Sequence, residues 1–178
     1  MILAGTLDID ASWKGARFVR FCDAFNIPLV FFTDVPGFLP GVDQEQNGII
    51  KEGAKFVFSV GESTVPKINF VTRKSYGGSY TVMGCKELNT DFNFAWPTAE
   101  LAVMGAKGAV QILFKGVNLE EEKKYEELFN NPLFAAKYGY IDDIVMPENS
   151  RQLIIDCLKA AEDKQNNREP RLHENCPL

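Results

Sequence analysis

The sequence predicts a single α/β domain, and three observations carry that expectation. Short apolar runs rich in β-branched and aromatic residues alternate with longer segments of helical periodicity. No internal repeat and no long Pro-, Gly- or Ser-rich linker divides the 178 residues, of which 46% are hydrophobic, enough to build one core. The run Lys67-Ile68-Asn69-Phe70-Val71 leads into Gly77-Gly78, where the chain turns from a strand towards a helix. Residues 1–163 are expected to form the domain and 164–178 a polar C-terminal tail.

Taken in order, residues 2–7 read as a first strand. A helix follows over 12–25, with Phe18, Phe21, Cys22 and Phe25 on one face at amphipathic spacing. Residues 27–33 form the next strand, which enters a Pro/Gly loop over 34–41. A helix over 48–60 leads to the strand at 67–71, entered through Pro66 and ending at Arg73. The glycine turn follows, with a helix starting near Ser79. Residues 92–96 and 101–104 are short strand-like runs around Pro97. Two or three helices are expected over 105–138, broken at Asn131-Pro132. A last strand over 141–146 and a last helix over 149–163 complete the domain.

Composition excludes several function classes. With 19 Lys plus Arg against 24 Asp plus Glu, the net charge is −5, which gives no electrostatic reason to expect nucleic acid or an anionic membrane as a partner. No apolar run reaches bilayer length, so membrane insertion is not expected. The N-terminus lacks the pattern of a secretory signal, and a cytoplasmic location is expected. Cys22, Cys85, Cys157 and Cys176 are scattered without a C-x-x-C pair, so reduced thiols and no metal are expected. The one histidine, His173, stands in the tail, which argues against a Ser-His or Cys-His nucleophile system. Ser79 also misses the G-x-S-x-G elbow, because Thr81 occupies the place of the second glycine.

At the turn itself, Gly77 and Gly78 admit two readings. One is a plain tight connection. The other is an oxyanion cradle, in which the unpaired N–H groups of a helix start hold a negative oxygen without any catalytic side chain.

Further segments stand around it in a fixed order. They are 14–28, the loop Asp34-Val35-Pro36-Gly37-Phe38-Leu39-Pro40-Gly41, 48–55, Thr72-Arg73-Lys74-Ser75-Tyr76-Gly77-Gly78-Ser79-Tyr80 and 95–110. In this order and spacing the set resembles the carboxyltransferase subunit of biotin-dependent acyl-CoA carboxylases and decarboxylases. Members acting on propionyl-CoA and methylmalonyl-CoA are nearest. The resemblance runs from about Ile2 to the last residue, and Leu172-His173-Glu174-Asn175-Cys176-Pro177-Leu178 is similar to the family's own ending.

The resemblance implies a crotonase-like ββα spiral and the C-terminal half of a carboxyltransferase, with Met1 where the family's chain continues upstream. It implies an acyl-CoA substrate, biotin carried on a separate carrier protein or domain, and an N-terminal acyl-CoA-binding half as partner. A homo- or hetero-oligomer is also implied. Gly78 and Ser79 would offer main-chain N–H groups to the biotin ureido oxygen, flanked by Tyr76, Gly77 and Tyr80. Thr81 would shape the floor of the acyl pocket or, equally, cap the start of the helix. Pro36, Gly37 and Phe38 would wall the biotin side, or simply stiffen a connection. The lack of a histidine base is compatible with this chemistry, because carboxybiotin brings both the carboxyl group and the proton acceptor.

Other features keep two readings. Gly105-Ala106-Lys107-Gly108 fits close helix packing or a phosphate cradle. Lys14, Arg17 and Arg20 fit a solvated face, a subunit contact or a site for CoA phosphates. The chain departs from the family at Gln46-Asn47, where an aromatic residue and a glycine are common. It departs again at Lys51-Glu52, where an Arg-His pair is frequent. Two rival functions stay open: a crotonase-type hydratase or isomerase using Glu45, Glu62 or Glu100 on loops, and a non-catalytic fragment or assembly module.

Overall fold

The structure is a computed structural model that describes residues 2–114, 119–165 and 176–177. Helix α1 (Ile9–Ala24) leads to strand β1 (Leu29–Val35), and α2 (Val42–Asn47) and α3 (Ile49–Glu62) precede β2 (Lys67–Tyr76). Helix α4 (Gly77–Val82) follows β2 directly. Strands β3 (Phe92–Ala95) and β4 (Glu100–Ala102) come next, then α5 (Ala106–Phe114), α6 (Leu119–Phe129) and α7 (Pro132–Lys137). Strand β5 (Asp143–Ile144) and α8 (Ser150–Ala160) complete the order.

Every strand pairing is parallel, in the order β1-β2-β3-β5, with β4 joined to β2 off that path. Parallel pairing requires a crossover between strands, and the helices supply it. Strand β2 therefore serves two successive neighbours. Ile68 to Val71 pair with β3, whereas Lys74, Ser75 and Tyr76 pair with Glu100, Leu101 and Ala102 of β4. This is the expected α/β, crotonase-like spiral.

Helix α1 starts where Asp8 accepts a 2.7 Å hydrogen bond from the Ala11 N–H, an N-cap that satisfies one of the free donors of the first turn. Its buried face is Ser12, Ala16, Val19 and Cys22, not the phenylalanine stripe. Phe18, Phe21 and Phe25 are 61%, 56% and 66% exposed. Close approach to α3 decides this: a Cβ on Gly15 would lie 2.7 Å from Phe56 Cζ, so only small side chains fit between the helices.

The strand expected over residues 2–7 is not formed. Ile2–Gly5 is a 3-10 turn in which Leu3 and Ala4 take φ of 48° and 52°, and only Leu7 bridges to Phe38. The strand expected to end at Arg73 runs on to Tyr76, because Lys74, Ser75 and Tyr76 find partners in β4. The helices expected over 105–138 number three, with Asn131 accepting from the Phe134 N–H at 3.0 Å to start α7. Most of the tail expected from residue 164, including His173, lies outside the described residues, as does Met1.

The core lies on both faces of the sheet. On one, β1 packs through Leu29 and Phe31 against α1 and α3. On the other, Ile68, Phe70 and Phe94 lie under Cys157 and Ile154 of α8. A third cluster joins Val71, Ala95 and Ala99 to Ala135 and Ile141 near the end of β2. Lys67 is 0% exposed, and its ammonium donates to the carbonyl oxygens of Val60 at 2.8 Å and Leu88 at 3.0 Å. All four cysteines are free. Burial pushes the Cys85 thiol up to about 11, with its hydrogen bond to Glu87 adding to the rise. Among the described residues no helix is long and apolar enough to cross a membrane.

Two substitutions test this packing. Lys67→Met strands two buried carbonyl acceptors and should lower unfolding stability by about 2–4 kcal/mol in urea titration. Gly84 has φ +78°, and a Cβ there would meet Phe31 Cδ2 at 2.8 Å. Gly84→Ala should therefore cost about 2 kcal/mol or more, and an unchanged urea midpoint would contradict the close approach of this turn to β1.

Candidate functional site

The site is built where β2 becomes α4 without an intervening loop. Tyr76 is still extended, at φ −115° and ψ 135°, and caps the helix. Gly77 then takes φ 55°, and a Cβ there would lie 3.0 Å from the Val103 carbonyl oxygen. Glycine is required on both counts. Ser79 turns its hydroxyl back to the Tyr76 carbonyl oxygen at 2.6 Å, closing the first turn. The N–H groups of Gly77, Gly78 and Ser79 have no acceptor within the helix. Gly78 is exposed and Ser79 has 0% exposure, so Gly78 presents the accessible donor in this conformation.

Two surfaces meet at the turn. On one side stands Phe38, whose ring carbons lie 3.8 Å from a Cβ built on Gly78 and 3.1 Å from one built on Gly53. The 34–41 loop thus reaches the turn through Phe38. Gly37 anchors that loop, its carbonyl accepting from the Leu7 N–H at 3.0 Å, and the Leu39 N–H returns to the Leu7 carbonyl at 2.8 Å. On the other side lies a cavity of about 320 Å³ whose lining includes Gly77, Tyr80, Val103, Tyr125, Phe134 and Tyr140. Its walls are mainly apolar, the usual condition of a small-molecule site.

Of the residues expected in the site, Gly77 and Tyr80 line this cavity and Phe38 stands beside Gly78. Pro36, Gly37 and Thr81 are not among its lining residues. Because the helix begins at Gly77, Thr81 is its fifth residue and does not cap its start. Val103, Tyr125, Phe134 and Tyr140 were not expected from sequence. They come from later elements, and β4 reaches the site through the Ser75 to Leu101 register. A three-residue strand has too few positions to show alternation, so that register left no local signal.

The charges near the turn are engaged. The Tyr76 hydroxyl donates to Glu100 Oε2. Burial first, and then Glu100, raises the Tyr76 pKa well above its ordinary value, so its hydroxyl stays protonated at neutral pH. Burial likewise raises Tyr80, with Glu87 adding to the shift. Arg73 holds Asp34 through Nε at 3.2 Å and a second nitrogen at 3.1 Å, and its hydrogen bond to Asp34 leads the upward shift of the guanidinium. Asp34 also accepts from the Lys74 N–H at 3.2 Å, which fastens the end of β1 to β2.

The acids proposed for a hydratase stand elsewhere than on loops. Glu45 is in α2, Glu62 ends α3 and Glu100 opens β4. Gly105 packs at 3.5 Å from the Tyr76 ring and Gly108 at 3.8 Å from Met104 sulfur, both measured from an added Cβ. Close packing explains that glycine pair. Arg17 lies over the Trp13 ring at 5.7 Å on the outer side of α1. Among the described residues no three His, Cys, Asp or Glu side chains are grouped to hold a metal.

Comparison with known proteins gives one answer. Residues 1–176 match the family described as the carboxyl transferase domain. The propionyl-CoA carboxylase beta chain of Cereibacter sphaeroides is 52% identical over 184 residues, which covers 100% of this chain and 36% of that one. The mitochondrial propionyl-CoA carboxylase beta chain of Homo sapiens is 55% identical over 179 residues, covering 99% and 33%. The structure of transcarboxylase 12S, a hexamer assembly with methylmalonyl-coenzyme A and methylmalonic acid bound, matches with a TM-score of 0.94 at 46% identity. That match covers 99% of this chain and 36% of the other. The geranyl-CoA carboxylase beta subunit of P. aeruginosa matches with a TM-score of 0.81 at 30% identity, over 93% of this chain and 35% of that one. The chain spans about a third of the length of the curated relatives it matches. With all but two of its 178 residues inside the family match, and a strand-to-helix glycine turn at the centre of its sheet, the chain belongs to the carboxyl transferase domain family.

Proposed function

We propose that this chain is the biotin-facing half of an acyl-CoA carboxyltransferase of the propionyl-CoA or methylmalonyl-CoA type. One observation carries the reading: β2 runs straight into α4, leaving Gly78 exposed at a helix start whose preceding residue, Gly77, lines an apolar cavity. Family membership gives the reaction class, and the relatives above at 46% identity or more are propionyl-CoA carboxylase beta chains and a transcarboxylase with methylmalonyl-coenzyme A bound. The acyl-CoA-binding half and the biotin carrier are the partners this reading requires, in an assembly of several subunits. Residues 1–163 act as the domain and 164–178 as its tail. Four free thiols fit a reducing compartment, the cytoplasm or one equivalent to it.

Bound carboxybiotin supplies the carboxyl group and the proton acceptor. The chain's own task is then narrower, and its residues fit it. Gly78 offers its N–H to the ureido oxygen, with the Ser79 N–H behind it in the same turn. Main-chain donors held at fixed positions stabilise a developing oxyanion without reorganising at the moment of reaction. Phe38 walls the turn on one side, while Pro36 fixes φ in the loop that carries it and Gly37 permits the loop's turn. Gly77 and Tyr80 open onto the cavity, and Tyr76, kept neutral by burial and Glu100, adds no anion beside the oxygen. Thr81 takes part in the floor of the acyl pocket. Glu100 is bound to Tyr76, which weighs against the hydratase reading, since that chemistry needs a carboxylate free to move a proton.

An amide NMR titration of the chain with free biotin tests the site. Saturable shifts confined to residues 77–81 are expected, and Gly78→Pro should abolish them while circular dichroism keeps its native form, because proline removes the accessible donor. Ser79→Ala, which spares the main chain, should change the biotin affinity by less than about threefold. No shift at saturating biotin would sink the proposal that the site is preformed. Combined with the acyl-CoA-binding half of a propionyl-CoA carboxylase beta chain, the chain should support carboxyl transfer. Gly78→Pro should then lower kcat by about 10²-fold or more, the usual loss for one oxyanion donor.

A further inference from the structure

Three parallel strands each bring one polar residue to the same buried level. These are Thr33 on β1, Asn69 on β2 and Asn93 on β3, all essentially without exposed surface. Asn69 and Asn93 are register partners, and Thr33 lies two residues past Phe31, the β1 partner of Asn69. Thr33 Oγ1 is 2.7 Å from Asn69 Oδ1, and Asn69 Nδ2 is 3.2 Å from Asn93 Oδ1. Thr33 Oγ1 is also 3.3 Å from the carbonyl oxygen of Met83. As arranged, one hydroxyl proton faces two acceptors, and the buried Asn93 Nδ2 has no partner.

Turning both amides end for end keeps every heavy atom in place and removes the conflict, since the two ends of an amide differ only as donor and acceptor. Asn93 then donates to Asn69, Asn69 donates to the Thr33 oxygen, and the Thr33 hydroxyl donates to the Met83 carbonyl. The atom left without a partner becomes a carbonyl oxygen, which is tolerated better than an orphaned N–H. All the donors of the row now run one way, towards the end of α4.

We propose that Thr33, Asn69 and Asn93 are positioning residues for the glycine turn, acting on Gly78 and Ser79 through the Met83 carbonyl. Met83 is the C-cap of α4, and its N–H bonds to the Tyr80 carbonyl at 3.3 Å. A helix of six residues, Gly77–Val82, has no room to bend between its ends. A grip on its last carbonyl therefore sets the direction of its first N–H groups. The following residue adds to the grip, because Gly84 lies against the Phe31 ring on the same strand as Thr33. This inference rests on the oxyanion role given above to Gly78 and Ser79, but the coupling itself is measurable without any ligand.

The test compares wild type, Thr33→Val and Thr33→Ser. Valine keeps the shape and removes the hydroxyl, whereas serine restores it. Thr33→Val should move the amide signals of Gly78 and Ser79 in the free chain and weaken biotin binding about fivefold, the loss of one ordinary hydrogen bond. Thr33→Ser should return both to wild-type values, which a role in packing alone does not predict. Asn93→Ala, at the far end of the row, should shift the same two amides in the same direction. Unmoved Gly78 and Ser79 signals in a folded Thr33→Val chain overturn the proposal. If wild type binds no biotin at all, the biotin reading fails by itself, and the ligand-free amide shifts still decide whether the row controls the turn.

Discussion

The passage of β2 into α4 is the constraint on which the rest of the structure depends. A strand that becomes a helix at one residue needs a backbone that changes from extended to left-handed within a single peptide, and Gly77 at φ 55° does this. No loop is spent on the change, so the helix start inherits the rigidity of the sheet. The sheet is rigid there because β2 is flanked on both sides, at Ile68 to Val71 and again at Ser75 just before the turn. β1 flanks it on one side, and β3 and then β4 flank it on the other. A site made of main-chain N–H groups has no rotamers to lose, and its accuracy is that of the strand that carries it.

The neighbouring charges serve the same end. Asp34 is held by Arg73 and by the Lys74 N–H, and Glu100 is held by Tyr76. These two carboxylates are therefore committed to fastening one strand to another. A free carboxylate beside an oxyanion would oppose it electrostatically, and a free one in a partly buried place would raise its own pKa and become a competing acid. The arrangement gives the turn a field shaped by its amide donors.

Much of this was legible in the sequence, and the misses have physical causes. The alternation of apolar runs with helical periods set the α/β class, and Gly77-Gly78 after Lys67 to Val71 marked the turn, since glycine pairs after a buried run have few other uses. What failed was wherever a partner far along the chain decided the outcome. Residues 74–76 look like part of the turn because they lead into the glycine pair, yet pairing with β4 makes them strand. Residues 2–7 look like a strand because they are apolar, yet only Leu7 finds a partner and Leu3 and Ala4 coil at positive φ. Tyr125, Phe134 and Tyr140 carry no local mark of the cavity, because it is the packing of α6 and α7 that delivers them there.

Helix α1 shows most clearly why periodicity alone could not assign a face. It carries two apolar stripes. The small one, Ser12, Ala16, Val19 and Cys22, meets α3 because Gly15 and Phe56 allow the axes to come close. The large one, with Trp13, Phe18, Phe21 and Phe25, is left outside. Phenylalanine buries more area than alanine, so area alone would choose the other face. Backbone approach overrules it, because a close helix pair also closes the gaps beneath β1, and the energy lies in the density of the whole contact. The outer stripe is then larger than scattered surface residues account for, and such a surface is characteristic of a contact between subunits. The side chains too large for the inner contact are the ones available for an outer one.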